Sequence, residues 1–400
     1  MEKIIKAAVE RGASDLHIKA GDFFRARIHG DLVALTNQKL TPDQTRSIAL
    51  HLMSNEDDKK MIDKIQDYDC SWALPEVGRF RVNIMKQRGS FSIIMRAIPL
   101  VVPSFEKLGL PPVMAKIAEF ERGMVLVTGV TGSGKSSTMA ALVDYINARE
   151  TGHILTLENP IEFLHSDKKC SVTQREIGSD TKDFQMGLRA ALRQDPDVIL
   201  IGELRDAETI DTAMKAAETG HLLMSTLHTP DAVSTILRMM AMFPPEEQEV
   251  VRIRLAESLQ AVISQRLLPK IGGGRAVAAE IMIVTAAIRD LIIDGEKVGE
   301  VKDLIEEGKE NYGMQSFDQC LADLVNTGQV TFETAKAAAS NPADFELKMT
   351  MFSQSGAVPG VRAAPAPAKP AAPAAAAAAD PNAIQMDGIQ SGAGFDIISS

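Results

Sequence analysis

Eight consecutive residues, Gly129-Val130-Thr131-Gly132-Ser133-Gly134-Lys135-Ser136, combine the types needed to hold a polyphosphate. An apolar run (124–128) precedes them and a helix-forming stretch (136–148) follows, which is the strand, glycine loop and helix context the motif requires. In it, successive backbone N–H groups point at a phosphate and the helix start adds the positive end of its dipole. Gly129, Thr131, Gly132, Ser133, Gly134, Lys135, Ser136 and Ser137 are therefore the expected ATP-binding residues. Lys135 is expected to reach the β- and γ-phosphates, and the Ser136 hydroxyl to ligate Mg²⁺. An ordinary turn before a helix would need only one of these glycines.

Hydrolysis would further need carboxylates at strand ends beside this loop, one for the Mg²⁺ and one for the attacking water. The run Val198-Ile199-Leu200-Ile201-Gly202 delivers Glu203 where a metal-associated carboxylate belongs, though such a residue can also merely start the next helix. A second run ends in Glu158-Asn159-Pro160-Ile161-Glu162. Glu158 closes that strand, and Pro160 interrupts it so that Glu162 is offered from a turn, where it could act as general base.

Two histidines, His221 and His228, flank the run 222–227. At a rise of about 3.3 Å per residue they lie ~20 Å apart and cannot share one metal ion. One is expected to sense the γ-phosphate and the other to be structural. Arg189 and Arg193 fall on one helical face, either bridging to another subunit or as an ordinary solvated pair. His17 alternates with apolar neighbours and reads as structural.

These groups must be positioned by alternating elements. After the glycine loop the chain reads strand 153–158, helix 181–193, strand 198–203, helix 206–219 and strand 222–227. The unbroken apolar runs fit strands buried on both faces, as in a parallel α/β sheet. A helical region over 245–268, a strand over 276–284 and helices to about 349 follow. Residues 1–100 read as a small α+β domain: a helix over 2–11, strands over 15–19 and 24–29, and a helix begun by Thr41 as N-cap with Pro42 next.

In that first domain, Phe80, Val82 and Ile84 alternate with Arg79, Arg81 and Asn83, and Phe91, Ile93 and Met95 resume after Arg88-Gly89. A hairpin turning there sets Arg81 opposite Arg96, an unfavourable like-charge pair with no acidic residue between 77 and 98. The two arginines are expected to meet an anion, plausibly a triphosphate on another subunit; the alternative is a solvated basic face. Residues 101–112, rich in proline, read as a hinge linker, 113–350 as the nucleotide-binding domain, and 351–400 as a flexible Ala/Pro-rich tail.

Composition narrows the function class. The 400 residues, 45% apolar, suffice for two or three domains. The net charge of −10 divides unevenly: residues 1–100 carry +3 and 101–350 carry −12. An acidic main body without a basic, aromatic-interleaved loop argues against a ring acting on nucleic acid. A P-loop kinase acting on a small substrate stays open. Three scattered cysteines give neither a disulfide framework nor a zinc ribbon and fit a reducing compartment. No run of about 18 apolar residues is present to span a bilayer.

The ordered motifs together resemble the secretion-type hexameric ATPases, most closely the PilT/PilU-type retraction ATPases of type IV pili, over residues 1 to about 349. The carriers are Gly12-Ala13-Ser14-Asp15-Leu16-His17-Ile18, the glycine loop, the segment 154–163, Thr173-Gln174-Arg175-Glu176, the segments 188–197 and 201–206, the histidine segment 217–229, Ile263-Ser264-Gln265-Arg266-Leu267, and Gly313-Met314-Gln315-Ser316-Phe317-Asp318. The resemblance implies a PAS-like α+β N-terminal domain and a RecA-like ATPase domain with ATP and Mg²⁺ between protomers of a homohexamer. Glu162 would be the general base, Glu203 the Walker-B carboxylate, with Glu158 and His228 beside them and Arg81 and Arg96 completing the site. It further implies a cytoplasmic motor at the inner face of the membrane, working on a pilus platform protein, alone or with a second retraction ATPase. The family's usual Glu-Asp-Pro reads Glu158-Asn159-Pro160 here. The extra N-terminal domain and tetracysteine insertion of the assembly ATPases are not in this sequence, which favours retraction.

Overall fold

The computed structural model describes residues 1–354 other than 54 and 100; the Ala/Pro-rich tail lies outside them. The chain divides into two compact units, with the break at residues 100 and 101.

In the first unit six strands, β1 (Ala13–Lys19), β2 (Phe23–Ile28), β3 (Asp31–Lys39), β4 (Asp67–Leu74), β5 (Gly78–Gln87) and β6 (Ser90–Ala97), form one antiparallel sheet in the order β3-β2-β1-β6-β5-β4. Alternation along the strands turns Leu16, Ile18, Phe80, Val82, Ile84 and Ile93 to one face. There they pack on Ile5, Ala8, Ile48 and Leu52 of the helices Glu2–Glu10 and Pro42–Leu52. Thr41 caps the second helix: its Oγ1 accepts from the Gln44 N–H, and Gln44 Oε1 accepts from the Thr41 N–H. The β5–β6 hairpin turns at Arg88-Gly89, both at positive φ (49° and 75°), and its register sets Arg81 directly opposite Arg96.

In the second unit seven strands, β7 (Gly123–Thr128), β8 (His153–Glu158), β9 (Ser171–Glu176), β10 (Val198–Ile201), β11 (Leu222–Leu227), β12 (Leu259–Pro269) and β13 (Arg275–Ile283), run in the order β13-β12-β7-β11-β10-β8-β9. All pairs are parallel except β12 with β13. Both faces are covered. Leu126, Leu155, Ile199 and Leu223 pack with Leu188, Ile210 and Ile236, while Val125, Val127 and Met224 pack with Leu142 and Ile146 of the helix Lys135–Arg149. The sheet is therefore buried as the unbroken apolar runs require.

Two expectations change. Residues 245–268 do not form one helix: the helix Gln248–Ser258 ends where β12 begins. The Ala, Leu and Gln residues of 259–268 suit a helix locally, but pairing with both β7 and β13 makes this stretch a central strand. The linker is also shorter than its prolines suggest. Ser104 caps a short helix, Phe105–Leu108, and Phe105 stacks on Tyr145 at 5.2 Å between ring centroids.

Candidate nucleotide-hydrolysis site

Because β7, β8, β10 and β11 are parallel and in register, their carboxyl ends share one edge of the sheet. The glycine loop leaves β7 there, Glu158 to Glu162 leave β8, Glu203 follows β10 and His228 follows β11. Open α/β sheets bind ligands at this edge.

The loop needs its glycines. Gly129, Gly132 and Gly134 have φ of +139°, +79° and +95°, and a Cβ on Gly129 would lie 2.4 Å from the Gln265 carbonyl oxygen and 2.5 Å from Ser133 Oγ. Ser133 is 1% exposed and its hydroxyl has no hydrogen-bond partner among the described residues. Lys135, also buried, donates from Nζ to the carbonyls of Gly129 (2.8 Å) and Val130 (3.1 Å). Burial lowers its pKa, and the negative charge of Glu162 opposes that shift, which places Glu162 in the field of the lysine. Thr131 is exposed at the loop tip, and Ser136 and Ser137 are half-buried in the first helical turn.

Glu158 and Glu162 have opposite surroundings. Glu158 is half-buried, and desolvation of its carboxyl pushes it up, while hydrogen bonds from Thr156 and Gln174 and the Glu162 backbone act the other way. Glu162 is exposed, in irregular chain beyond Pro160. Glu203 makes a contact to Arg205 Nε and lies 3.3 Å from His228 Nε2. Burial, with the cations Lys135 and Arg205 nearby, holds His228 below its ordinary value, and its Nε2 faces Glu203 Oε2.

His221 is not part of this cluster. It precedes β11 at the opposite end of the sheet, where its Nδ1 is 2.9 Å from the Ala216 carbonyl and its own carbonyl accepts from the Gly123 N–H. In its own chain it closes the helix Ala207–Glu218, at the end of β11 away from the glycine loop, whereas His228 follows β11 at the loop's end of the sheet. Arg189 pairs with Glu208 at 2.7 Å and Arg193 donates to the Arg189 carbonyl, so both turn onto their own chain.

Arg96 also has a partner that its own hairpin could not reveal. Asp15 pairs with it from β1, Nε to Oδ1 at 2.8 Å, and the carboxyl of Asp15 is held low. Burial alone would raise Asp15; hydrogen bonds from Arg96 and Ser14 outweigh it. Arg81 is exposed and has no ion pair among the described residues. Sequence reasoning passed over Gln174, Arg205 and Gln265 as individual site residues. Gln174 and Glu176 had one visible signal, polar side chains at i and i+2 on a strand next to an acidic loop.

The residues present suit Mg²⁺: a hydroxyl on Ser136 and a carboxylate on Glu203 at one sheet edge are hard oxygen donors. Fold and site together define a RecA-like P-loop nucleotide-binding protein. The type II/IV secretion system protein family matches residues 1–276, and the chain belongs to that family. It is 46% identical over 343 residues to the type IV pilus retraction ATPase PilT of Pseudomonas aeruginosa, covering 86% of this chain and 99% of that one. To the type IV pilus ATPase PilU of the same organism it is 40% identical over 359 residues, 89% of this chain and 93% of the other. Among solved structures, that of the pilus retraction motor PilT with bound ADP matches with a TM-score of 0.79 at 46% identity, over 86% of this chain and 98% of that chain.

Proposed function

We propose that this protein is an ATPase motor that hydrolyses ATP to ADP and phosphate and uses the work to retract type IV pili, the basis of twitching motility. The observation that carries the reading is the convergence of Lys135, Glu162, Glu203 and His228 on one sheet edge around a glycine loop whose buried Ser133 hydroxyl has no hydrogen-bond partner among the described residues. Similarity along nearly the whole length of a retraction ATPase supports the biological role.

Loop N–H groups and Lys135 bind the triphosphate. Ser136 and Glu203 would hold Mg²⁺, which when bound would supply positive charge against the phosphates. Glu162 takes the proton of the attacking water. His228, beside Glu203, faces the terminal phosphate. Arg81, with Arg96, is supplied to the nucleotide of a neighbouring copy in a homohexameric ring. The ring works in the cytoplasm at the inner face of the membrane against a pilus platform protein, alone or beside a second retraction ATPase; no helix among the described residues is long and apolar enough to cross a membrane.

Deleting the gene in its host and scoring pili and surface motility tests the role. Excess pili without motility is the expected outcome. Bald cells would assign the protein to assembly instead.

A further inference from the structure

The segment that carries Glu162 is irregular, yet its backbone is tied at successive residues by side chains of β8 and β9. The Ile161 N–H donates to Glu176 Oε2 at 3.1 Å. The Glu162 backbone lies beside the Glu158 carboxyl and lowers its pKa. The Phe163 carbonyl accepts from Gln174 Nε2 at 2.9 Å, and the His165 N–H donates to Gln174 Oε1 at 2.9 Å. Gln174 Nε2 also donates to Glu158 Oε1 at 3.0 Å, the oxygen that accepts from Thr156 Oγ1 at 2.7 Å.

One carboxamide thus holds three points: the carbonyl after Glu162, an amide N–H two residues further on, and the Glu158 carboxylate beside the Glu162 backbone. Only an amide meets this demand. Two of its contacts need donors and one needs an acceptor, so a carboxylate of the same length would set oxygen against oxygen twice, and an apolar side chain would leave all three groups without it. The side chain of Glu162 takes no part in these bonds and stays exposed toward the lysine. Its backbone is fixed while its carboxylate is free to work.

We propose that Gln174 is a positioning residue for hydrolysis, acting through Glu162 by clamping residues 161–165 to the edge strand β9 and to Glu158. This rests on the assignment of Glu162 as general base. Displacement of a base by about 1 Å costs on the order of 100-fold in rate without altering ligand affinity in proportion.

The test is Gln174→Leu, with Gln174→Met as a second variant, in the full-length protein. Expected is a fall in kcat of about 30- to 100-fold, with affinity for a fluorescent ATP analogue kept within about 2-fold. In a Glu162→Gln background the same change should lower the residual rate by less than about 3-fold, because the group acted through is already gone. A kcat within about 2-fold of the parent, a parallel loss of affinity, or losses that multiply in the double variant would each overturn the proposal. Hydrogen exchange of the peptide spanning 160–166 gives a readout independent of turnover: faster exchange in the variants is expected, and unchanged protection refutes the clamp. If the parent itself proves unable to hydrolyse ATP, the functional assignment fails while the exchange result still decides the clamp.

Discussion

The two glutamates that leave β8 are chemically alike and placed in contrasting environments, so they should respond differently to substitution. Glu162→Gln, and likewise Glu203→Gln, should keep nucleotide binding while lowering turnover by about 100-fold or more, whereas Lys135→Ala should weaken binding itself. Equilibrium binding and steady-state rates on the same samples separate the two effects. Glu280, on β13, is a buried acid outside the site: burial pushes it up to about 7, against the hydrogen bond it accepts from the Ala232 N–H at 2.8 Å. A carboxyl raised in the folded state contributes stability that is present below its unfolded value and lost as pH rises toward 7. Glu280→Gln should therefore raise the melting temperature at pH 8 and leave it nearly unchanged at pH 4.5; thermal melts at the two pH values check this. Nothing in the sequence marked this residue, because its partner, the Ala232 N–H, lies 48 positions away.

Within the first unit, the register of a single hairpin makes two arginines unequal. Arg96→Ala leaves the buried Asp15 carboxylate without its main partner, which should cost about 1 kcal/mol once the 70% exposure of the Arg96 side chain is allowed for. Arg81→Ala should change stability by less than about 0.5 kcal/mol while abolishing ATP turnover. Denaturant melts beside an activity assay make the comparison, and full activity in Arg81→Ala would remove that arginine from the site. The hairpin was legible because Arg88-Gly89 and strict alternation on either side fix the pairing. So were the strands His153–Glu158 and Leu222–Leu227, as unbroken apolar runs between turn residues. The strands β3, β4 and β9 were not. All three lie at sheet edges, where one side lacks a neighbouring strand and polar residues weaken the pattern. Asp15 escaped as the partner of Arg96 for a related reason: the pairing spans 81 positions, and local periodicity carries no information about it.

For the whole molecule, the two units and the Ala/Pro-rich stretch after them call for separate tests. A chain ending at residue 354 retains every residue placed in the site, so it should hydrolyse ATP at the parent rate; a loss greater than about 3-fold would give the tail a role in catalysis or assembly. The broad plan was legible since composition, the glycine loop and the order of motifs all pointed one way. The path of residues 99–112 was less so, because prolines mark breaks in structure without saying which neighbour the intervening residues join.

The lysine of the glycine loop donates to two carbonyl oxygens of that loop. Phosphate oxygens at the same cation would compete with these carbonyls, which offsets part of the attraction. An engine that has to discard its spent fuel on every stroke benefits from this arrangement, since the same two carbonyls stand ready to take the lysine back as the product departs.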